Sequence, residues 1–256
     1  MPNATLTSTV PILAYHFFGN SRHSYDLSED ETPYCLDQSL LREHLQGLRD
    51  AGYELLSLPQ YLAGESLPAR PILLTVDDGH LSFLEVALPI LAEFSAPVTL
   101  FLVGGNLRRP EYLTSVQVAE LSAQGVEIGS HGQSHRPLTS MPLEQARAEM
   151  AQSRQALEEA SGGEVSFLAL PHGFGSHAIF TTARELGYKA VCTSQFGLNP
   201  REPVPFCLKR LGIKGPMTWK DLQPLLGPDT RPFRQACLRD RVKTVAKWVL
   251  RRHRQG

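Results

Sequence analysis

The 256-residue chain is long enough to bury a full core in one large α/β domain, and its 42% hydrophobic and 20% charged residues are the proportions of a soluble globular protein. A formal net charge of −1 argues against nucleic acid as the main partner, which would demand a basic footprint. No apolar run approaches membrane-spanning length, and the four cysteines (Cys35, Cys192, Cys207, Cys237) lack close pairing or zinc-like spacing, as expected of reduced thiols.

Residues 1–10 have neither the basic region nor the long apolar core of a secretory leader, so a cytoplasmic location is the expectation. The first strand-like run, 10–15, leads into Leu13-Ala14-Tyr15-His16. Residues 18–38, rich in Ser, Asp and Glu with Pro33, read as an exposed loop insertion over that strand. A second apolar run, 71–76, stops abruptly at Asp77-Asp78-Gly79. Taken alone, that triplet reads first as a turn with a helix cap, because Asp caps helices and Gly relieves the backbone.

Strand-like runs follow at 98–103 and 126–130, the latter running into His131-Gly132-Gln133-Ser134-His135. Ser140 is placed to cap a helix over 142–160, with Pro142 in its first turn and Leu143, Ala146, Met150 and Leu157 on its apolar face. Gly162-Gly163 stops that helix. Runs at 167–170 and 190–193 complete the alternation, the former preceding Pro171-His172-Gly173.

Near-continuous apolar strands separated by helices indicate a parallel sheet buried on both faces. His16 follows the first strand, Asp77 and Asp78 another, His131 and His135 a third, and His172 a fourth. In α/β barrels the C-terminal strand ends form the catalytic face. Two imidazoles and one carboxylate suit a hydrolytic metal centre with an open position, and a second carboxylate nearby can act as general base. His80, next to Gly79, is expected to line the cleft. His23, His44, His177 and His253 have no motif around them and are expected at the surface.

With these segments in place the chain resembles the polysaccharide deacetylase family, also called the NodB-homology or carbohydrate esterase 4 family. The family's T-F-D-D-G stands here as Thr75-Val76-Asp77-Asp78-Gly79, and its H-S/T-x-x-H as His131-Gly132-Gln133-Ser134-His135. The likeness spans roughly four-fifths of the chain, with both motifs in the right order. It implies a distorted (β/α) barrel of the NodB-homology type over residues 8–227. It also implies Asp77 as catalytic base and Asp78, His131 and His135 as ligands of a divalent metal. Zinc suits those ligands, and nickel, cobalt or iron(II) would too. The implied reaction removes an N-acetyl group from an amino sugar in a polysaccharide, oligosaccharide or lipid-linked glycan.

The third motif departs from the family's pattern. R-x-P-x-G becomes Ala169-Leu170-Pro171-His172-Gly173, so the arginine that orients the base is missing. A subgroup acting on poly-N-acetylglucosamine tolerates alanine there. By circular permutation it also keeps its catalytic acid near the N-terminus in an L-x-Y-H segment, which implies His16 as the acid. The backbone N–H of His172 would hold the oxyanion, with Pro171 and Gly173 beside it on the substrate side. Arg210, in Leu208-Lys209-Arg210-Leu211-Gly212-Ile213, is the candidate replacement for orienting Asp77.

From Arg231 onward the tail, within residues 228–256, carries nine basic residues against Asp240 alone. Val242, Val245, Trp248 and Val249 fall at helical spacing. Two readings stand: a terminal helix packed on the barrel with a solvated basic face, or an amphipathic helix on an anionic inner-membrane surface. Two rival functions also stand. One is a related metal-dependent amidase or deformylase acting on a lipid-linked sugar or small amide. The other, given the missing arginine and Val76 in place of phenylalanine, is a catalytically silent metal- or glycan-binding domain.

Overall fold

The computed structural model describes residues 7–19, 25–64 and 66–252. In chain order the strands are β1 (Thr9–Val10), β2 (Ile12–Tyr15), β3 (Phe17–Gly19), β4 (Cys35–Asp37), β5 (Glu54–Leu56), β6 (Pro71–Val76), β7 (Val98–Leu102), β8 (Glu127–Ser130), β9 (Phe167–Ala169), β10 (Ala190–Cys192), β11 (Asn199–Pro200) and β12 (Leu211–Gly212). The helices are α1 (Gln38–Asp50), α2 (Leu58–Ala63), α3 (Leu88–Glu93), α4 (Ser115–Ala123), α5 (Leu143–Ser161), α6 (His177–Glu185), α7 (Trp219–Leu222) and α8 (Arg231–Arg252).

Eight strands form one parallel sheet in the order β10-β9-β8-β7-β6-β2-β12, and β5 pairs with the first half of β6. The segment from Leu208 to Gly212 reaches both edges. Leu208 bridges to Cys192 at the end of β10, while β12 pairs with β2, Leu211 opposite Leu13. The sheet therefore curls into the distorted barrel that the resemblance implied.

The strand sequences explain the layering. β6 and β7 are buried at every position, as parallel strands covered on both faces must be. Alternate residues point to opposite faces and fall into two apolar clusters. Leu13, Tyr15, Leu74, Val76, Leu100 and Leu102 pack with the helices. Ile12, Leu73, Phe101, Phe167, Ala169 and Cys192 fill the barrel interior. Carried past the strand ends, the same alternation puts His16, Asp77 and His131 on the interior rows of β2, β6 and β8. Arg210 shares the row of the interior residue Leu208. Gly129 is also on that face, where a Cβ would lie 2.5 Å from the Phe101 ring.

Four expectations change. His44 is buried rather than at the surface: its Nδ1 meets the Tyr15 hydroxyl at 3.2 Å and its Nε2 the Met217 carbonyl at 2.9 Å. It sits in phase with the buried stripe Leu41, Leu45 and Leu48 of α1. Ser140 does not cap α5; its hydroxyl donates to the Pro137 carbonyl, and Pro142 flanks the helix without a side-chain cap. Leu143 is exposed, so the buried face of α5 begins at Ala146 and continues through Met150 and Leu157. Finally, the 18–38 insertion is tied down at both ends, because β3 pairs with β4 and brings the buried Phe18 opposite the buried Leu36. The expected stop is present: Gly162 ends α5 in left-handed backbone at φ 71°. His177 is exposed, while His23 and His253 lie outside the described residues.

α8 starts against the body of the protein. The Phe233 ring packs against Phe196 in a tilted pair at 5.6 Å, and the Phe196 N–H donates to the Asp240 carboxylate at 3.3 Å. Leu238 and Val242 are exposed. The side chains of Arg241 and of residues 243–252, Val245, Trp248 and Val249 among them, lie outside the described residues. Among the described residues no helix is long and apolar enough to cross a membrane.

Candidate active site

Three turns at the C-terminal end of the sheet bring the expected residues together. After β6 the chain turns at Asp77-Asp78-Gly79, with Asp78 and Gly79 in left-handed backbone (φ 74° and 75°). His135 and His172, in the turns after β8 and β9, are also left-handed, at φ 58° each. Such backbone costs a non-glycine residue of order 1–3 kcal/mol and persists only where the surroundings enforce it. Here it concentrates on the polar end of the barrel.

Asp78 Oδ1 lies 3.6 Å from His131 Nε2 and 3.2 Å from His135 Nε2. One ligand atom from each of the three residues falls within 4.8 Å of the others. The buried His131 donates from Nδ1 to the Ala169 carbonyl at 2.8 Å, which leaves the lone pair on Nε2. Burial pushes the His131 imidazole down to about 3. Burial, reinforced by the neighbouring His172, pushes His135 down to about 4. Both rings are therefore neutral at physiological pH.

Asp78 moves the other way. Burial, with the Asp77 charge adding to it, pushes its carboxyl up to about 8. Its buried Oδ1 makes no hydrogen bond, although two imidazole nitrogens face it. Two neutral rings and a mostly protonated acid do not make an ion pair, whatever their proximity. Lone pairs converging on an orphaned oxygen fit a divalent cation with N/O ligands.

Asp77 has a different partner. Arg210 clamps its carboxylate bidentately, Nη1 to Oδ1 at 2.7 Å and Nη2 to Oδ2 at 2.8 Å, with both residues buried. The guanidinium is fixed in turn, Nε donating to the Thr193 carbonyl at 3.0 Å and Nη1 to Thr75 Oγ1 at 3.2 Å. Burial alone would raise the Asp77 carboxyl, but Arg210 outweighs it and holds the group well below the usual carboxylate range. In this clamp Asp77 Oδ2 stands 3.9 Å from His16 Nε2 and 4.0 Å from His131 Nε2. The His16 ring packs against Tyr34 at 4.9 Å, and burial lowers its imidazole, an effect that Asp77 partly offsets.

The third turn also reaches the site. The His172 ring lies 4.9 Å from that of His135, and the buried Pro171 would meet a Cβ on Gly132 at 3.1 Å. Gly173 is left-handed (φ 75°), and a Cβ there would collide with Ser194 at 2.1 Å. His80 does not line an open cleft. It is only 3% exposed, enclosed by the rings of Phe17, Tyr25 and Tyr112, with Nδ1 accepting the Ser82 N–H at 3.1 Å. Two neighbours of the site escaped the sequence reading: Tyr34, hidden in a polar loop, and Glu149, which looks like any solvated acid on a long helix.

Residues 64–191, half of the chain, match the model of the family described as polysaccharide deacetylase. The chain belongs to the polysaccharide deacetylase family. The Bacillus subtilis protein YxkH, named for the same family, is 25% identical over 213 residues, covering 82% of this chain and 73% of its own. The peptidoglycan-N-acetylglucosamine deacetylase of Bacillus cereus is 28% identical over 132 residues, covering 51% of this chain and 59% of that relative, so less than two thirds of it. Among solved structures, the Streptococcus pyogenes deacetylase PplD in complex with acetate matches with a TM-score of 0.74 at 26% identity, over 86% of this chain and 99% of that one. The family match contains Asp77, Asp78, His131, His135 and His172, while His16 and Arg210 lie outside it and enter the site through the fold.

Proposed function

We propose that this chain is a metal-dependent N-deacetylase acting on N-acetylated amino sugars in a glycan. The observation that carries the reading is an ionised carboxylate, Asp77, clamped by Arg210 beside the Asp78, His131 and His135 donor set. The relatives named for deacetylation of N-acetylglucosamine-containing glycans support the substrate class. The catalytic unit is taken to span residues 8–227, which include every residue of the site.

Asp78, His131 and His135 would hold the metal, which when bound supplies Lewis-acid polarisation of the acetyl carbonyl and acidifies water. Zinc is the proposed ion, with nickel, cobalt or iron(II) compatible with the same donors. Arg210 keeps Asp77 ionised, so it stands ready to accept a proton as water adds to the carbonyl carbon. A carboxyl held so far below its usual range does not keep that proton. His16 Nε2, 3.9 Å from Asp77 Oδ2, is placed to take it and deliver it to the sugar nitrogen as the C–N bond breaks. Acetate and a free amine result. The His172 backbone N–H is the proposed donor to the developing oxyanion, a contribution of about 3–4 kcal/mol for a well-placed donor.

Acetate release from N-acetylglucosamine oligomers, assayed with zinc, cobalt or nickel, tests this reading. Asp77→Asn is expected to keep its metal and lose about 10²–10⁴-fold in turnover, the range for removing an acid–base group. His131→Ala is expected to lose metal and activity together. Wild-type protein loaded with metal but releasing no acetate from any such oligomer would contradict it.

A further inference from the structure

We propose that Glu149, on α5, is the positioning residue of the loop that carries His131 and His135; the proposal rests on the metal-site reading above. The loop between the two histidines has every opportunity to move, since it is short, polar and at the surface end of the barrel. Several of its backbone groups are nevertheless paired. The His131 N–H donates to the Leu102 carbonyl at 2.7 Å and the Gly132 N–H to Ser130 Oγ at 3.3 Å. The carbonyls of Gly132 and Gln133 accept from the N–H groups of Gly104 and Gly105 at 3.0 and 2.9 Å.

Two further backbone donors and a hydroxyl converge on one carboxylate. Glu149 Oε2 accepts from the N–H of Gln133 at 3.1 Å and of Ser134 at 2.8 Å, and Oε1 accepts the Ser134 hydroxyl at 2.8 Å. Hydrogen bonds to an ionised acceptor are roughly twice as strong as neutral ones. One turn further along α5, Ser153 Oγ meets Ser130 Oγ at 2.8 Å, so the same helix braces both ends of the loop. The loop is also closed in by Gly105, where a Cβ would lie 2.5 Å from the Gln133 carbonyl oxygen.

The two histidines depend on this brace unequally. The His131 ring is fixed by its own bond to the Ala169 carbonyl. Among the described residues no hydrogen bond is seen to a ring nitrogen of His135, and its backbone is left-handed at φ 58°. Beyond the approach of its Nε2 to Asp78 Oδ1 at 3.2 Å, the His135 ring takes its direction from the two residues before it, and Glu149 holds both. A carboxylate that bonds to neither histidine would thus set the geometry of the donor set from α5.

The test uses the full chain with cobalt(II) as probe, comparing wild type, Glu149→Gln and Glu149→Ala, with His131→Ala as the control that removes a proposed ligand. Three quantities are read: the cobalt dissociation constant by competition with a chelator, the visible d–d spectrum at saturating cobalt, and the melting temperature of the metal-free protein. The expected result is weaker cobalt binding, by about 10–100-fold in Glu149→Ala and about tenfold in Glu149→Gln, with an altered d–d band in both. The metal-free melting temperature should stay within a few degrees of wild type in Glu149→Gln, which keeps the side-chain shape should the alanine variant fail to fold. Wild-type affinity and spectrum in both variants would overturn the proposal, as would a fall in metal-free stability with an unchanged spectrum. If wild type binds cobalt, His131→Ala does not, and the Glu149 variants match wild type, only the role of Glu149 fails. If wild type itself binds no cobalt, the metal-site reading fails with it.

Discussion

Asp77 and Asp78 are neighbours in sequence, equally buried in effect, and driven in opposite directions. Arg210 holds the first well below the carboxylate range, while burial beside the Asp77 charge pushes the second up to about 8. The separation supports the two tasks proposed for otherwise identical groups: Asp77 as an ionised base, and Asp78 as a ligand that would give up its proton to a cation. Arg210 is the residue on which that separation turns. Arg210→Ala would strand a buried carboxylate and cost about 3–5 kcal/mol of stability, so Arg210→Lys is the cleaner variant. A lysine keeps the charge but not the two-point clamp. Its turnover is expected to fall about 10²-fold, the consequence of a misplaced reacting group, with metal content unchanged. Steady-state kinetics beside metal analysis would show this, and full activity in Arg210→Lys would remove the clamp from the account. From sequence Arg210 was legible only as a candidate, because 133 positions separate it from Asp77 and nothing local says which arginine turns inward.

At the scale of elements, legibility followed periodicity. The continuous apolar runs at 71–76 and 98–103 read directly as parallel strands, and the structure places β6 and β7 there with every residue buried. Period-2 alternation then carries Asp77, His131 and His16 onto the interior face, a consequence of strand geometry that no motif is needed to see. What stayed illegible depended on partners remote in sequence. His44 looked like a surface residue because a lone histidine in a helix has no local signature, although its phase with Leu41, Leu45 and Leu48 marked it as inward. Ser140 is a different case, a local competition: it had the chemistry of a helix cap but spends its hydroxyl on Pro137, three residues back. Glu149 could be found only once α5 was packed over the histidine loop.

For the whole molecule, the buried titratable groups make stability depend on pH and on metal in opposite senses. Unfolded histidines take up protons below about pH 6.5, whereas native His131 and His135 resist until about 3 and 4. Stability therefore climbs as pH rises toward 6.5, and the lowered imidazoles of His16, His44 and His80 act the same way. Native Asp78 keeps its proton up to about 8, while the unfolded carboxyl releases it near pH 4. That group alone makes stability fall with rising pH across the interval, by at most roughly 1.4 kcal/mol per pH unit. Between about 4 and 6.5 the histidines prevail; from 6.5 to about 8 the carboxyl does. The metal-free protein should thus be most stable near pH 6.5, and a divalent cation, which needs Asp78 ionised, should raise the melting temperature more at pH 8 than at pH 6. Thermal melts in chelator and in zinc across pH 5–9 measure both, and a metal-free stability that rises steadily to pH 9 would contradict the charge states assigned here.

A metal held at the barrel mouth by Asp78, His131 and His135 would be detected by elemental analysis of protein purified without added metal or chelator, wild type beside His131→Ala. Near-stoichiometric transition metal in the wild type, lost in the variant, is the predicted result. Wild type without metal, even after reconstitution with zinc, cobalt or nickel, would contradict the account.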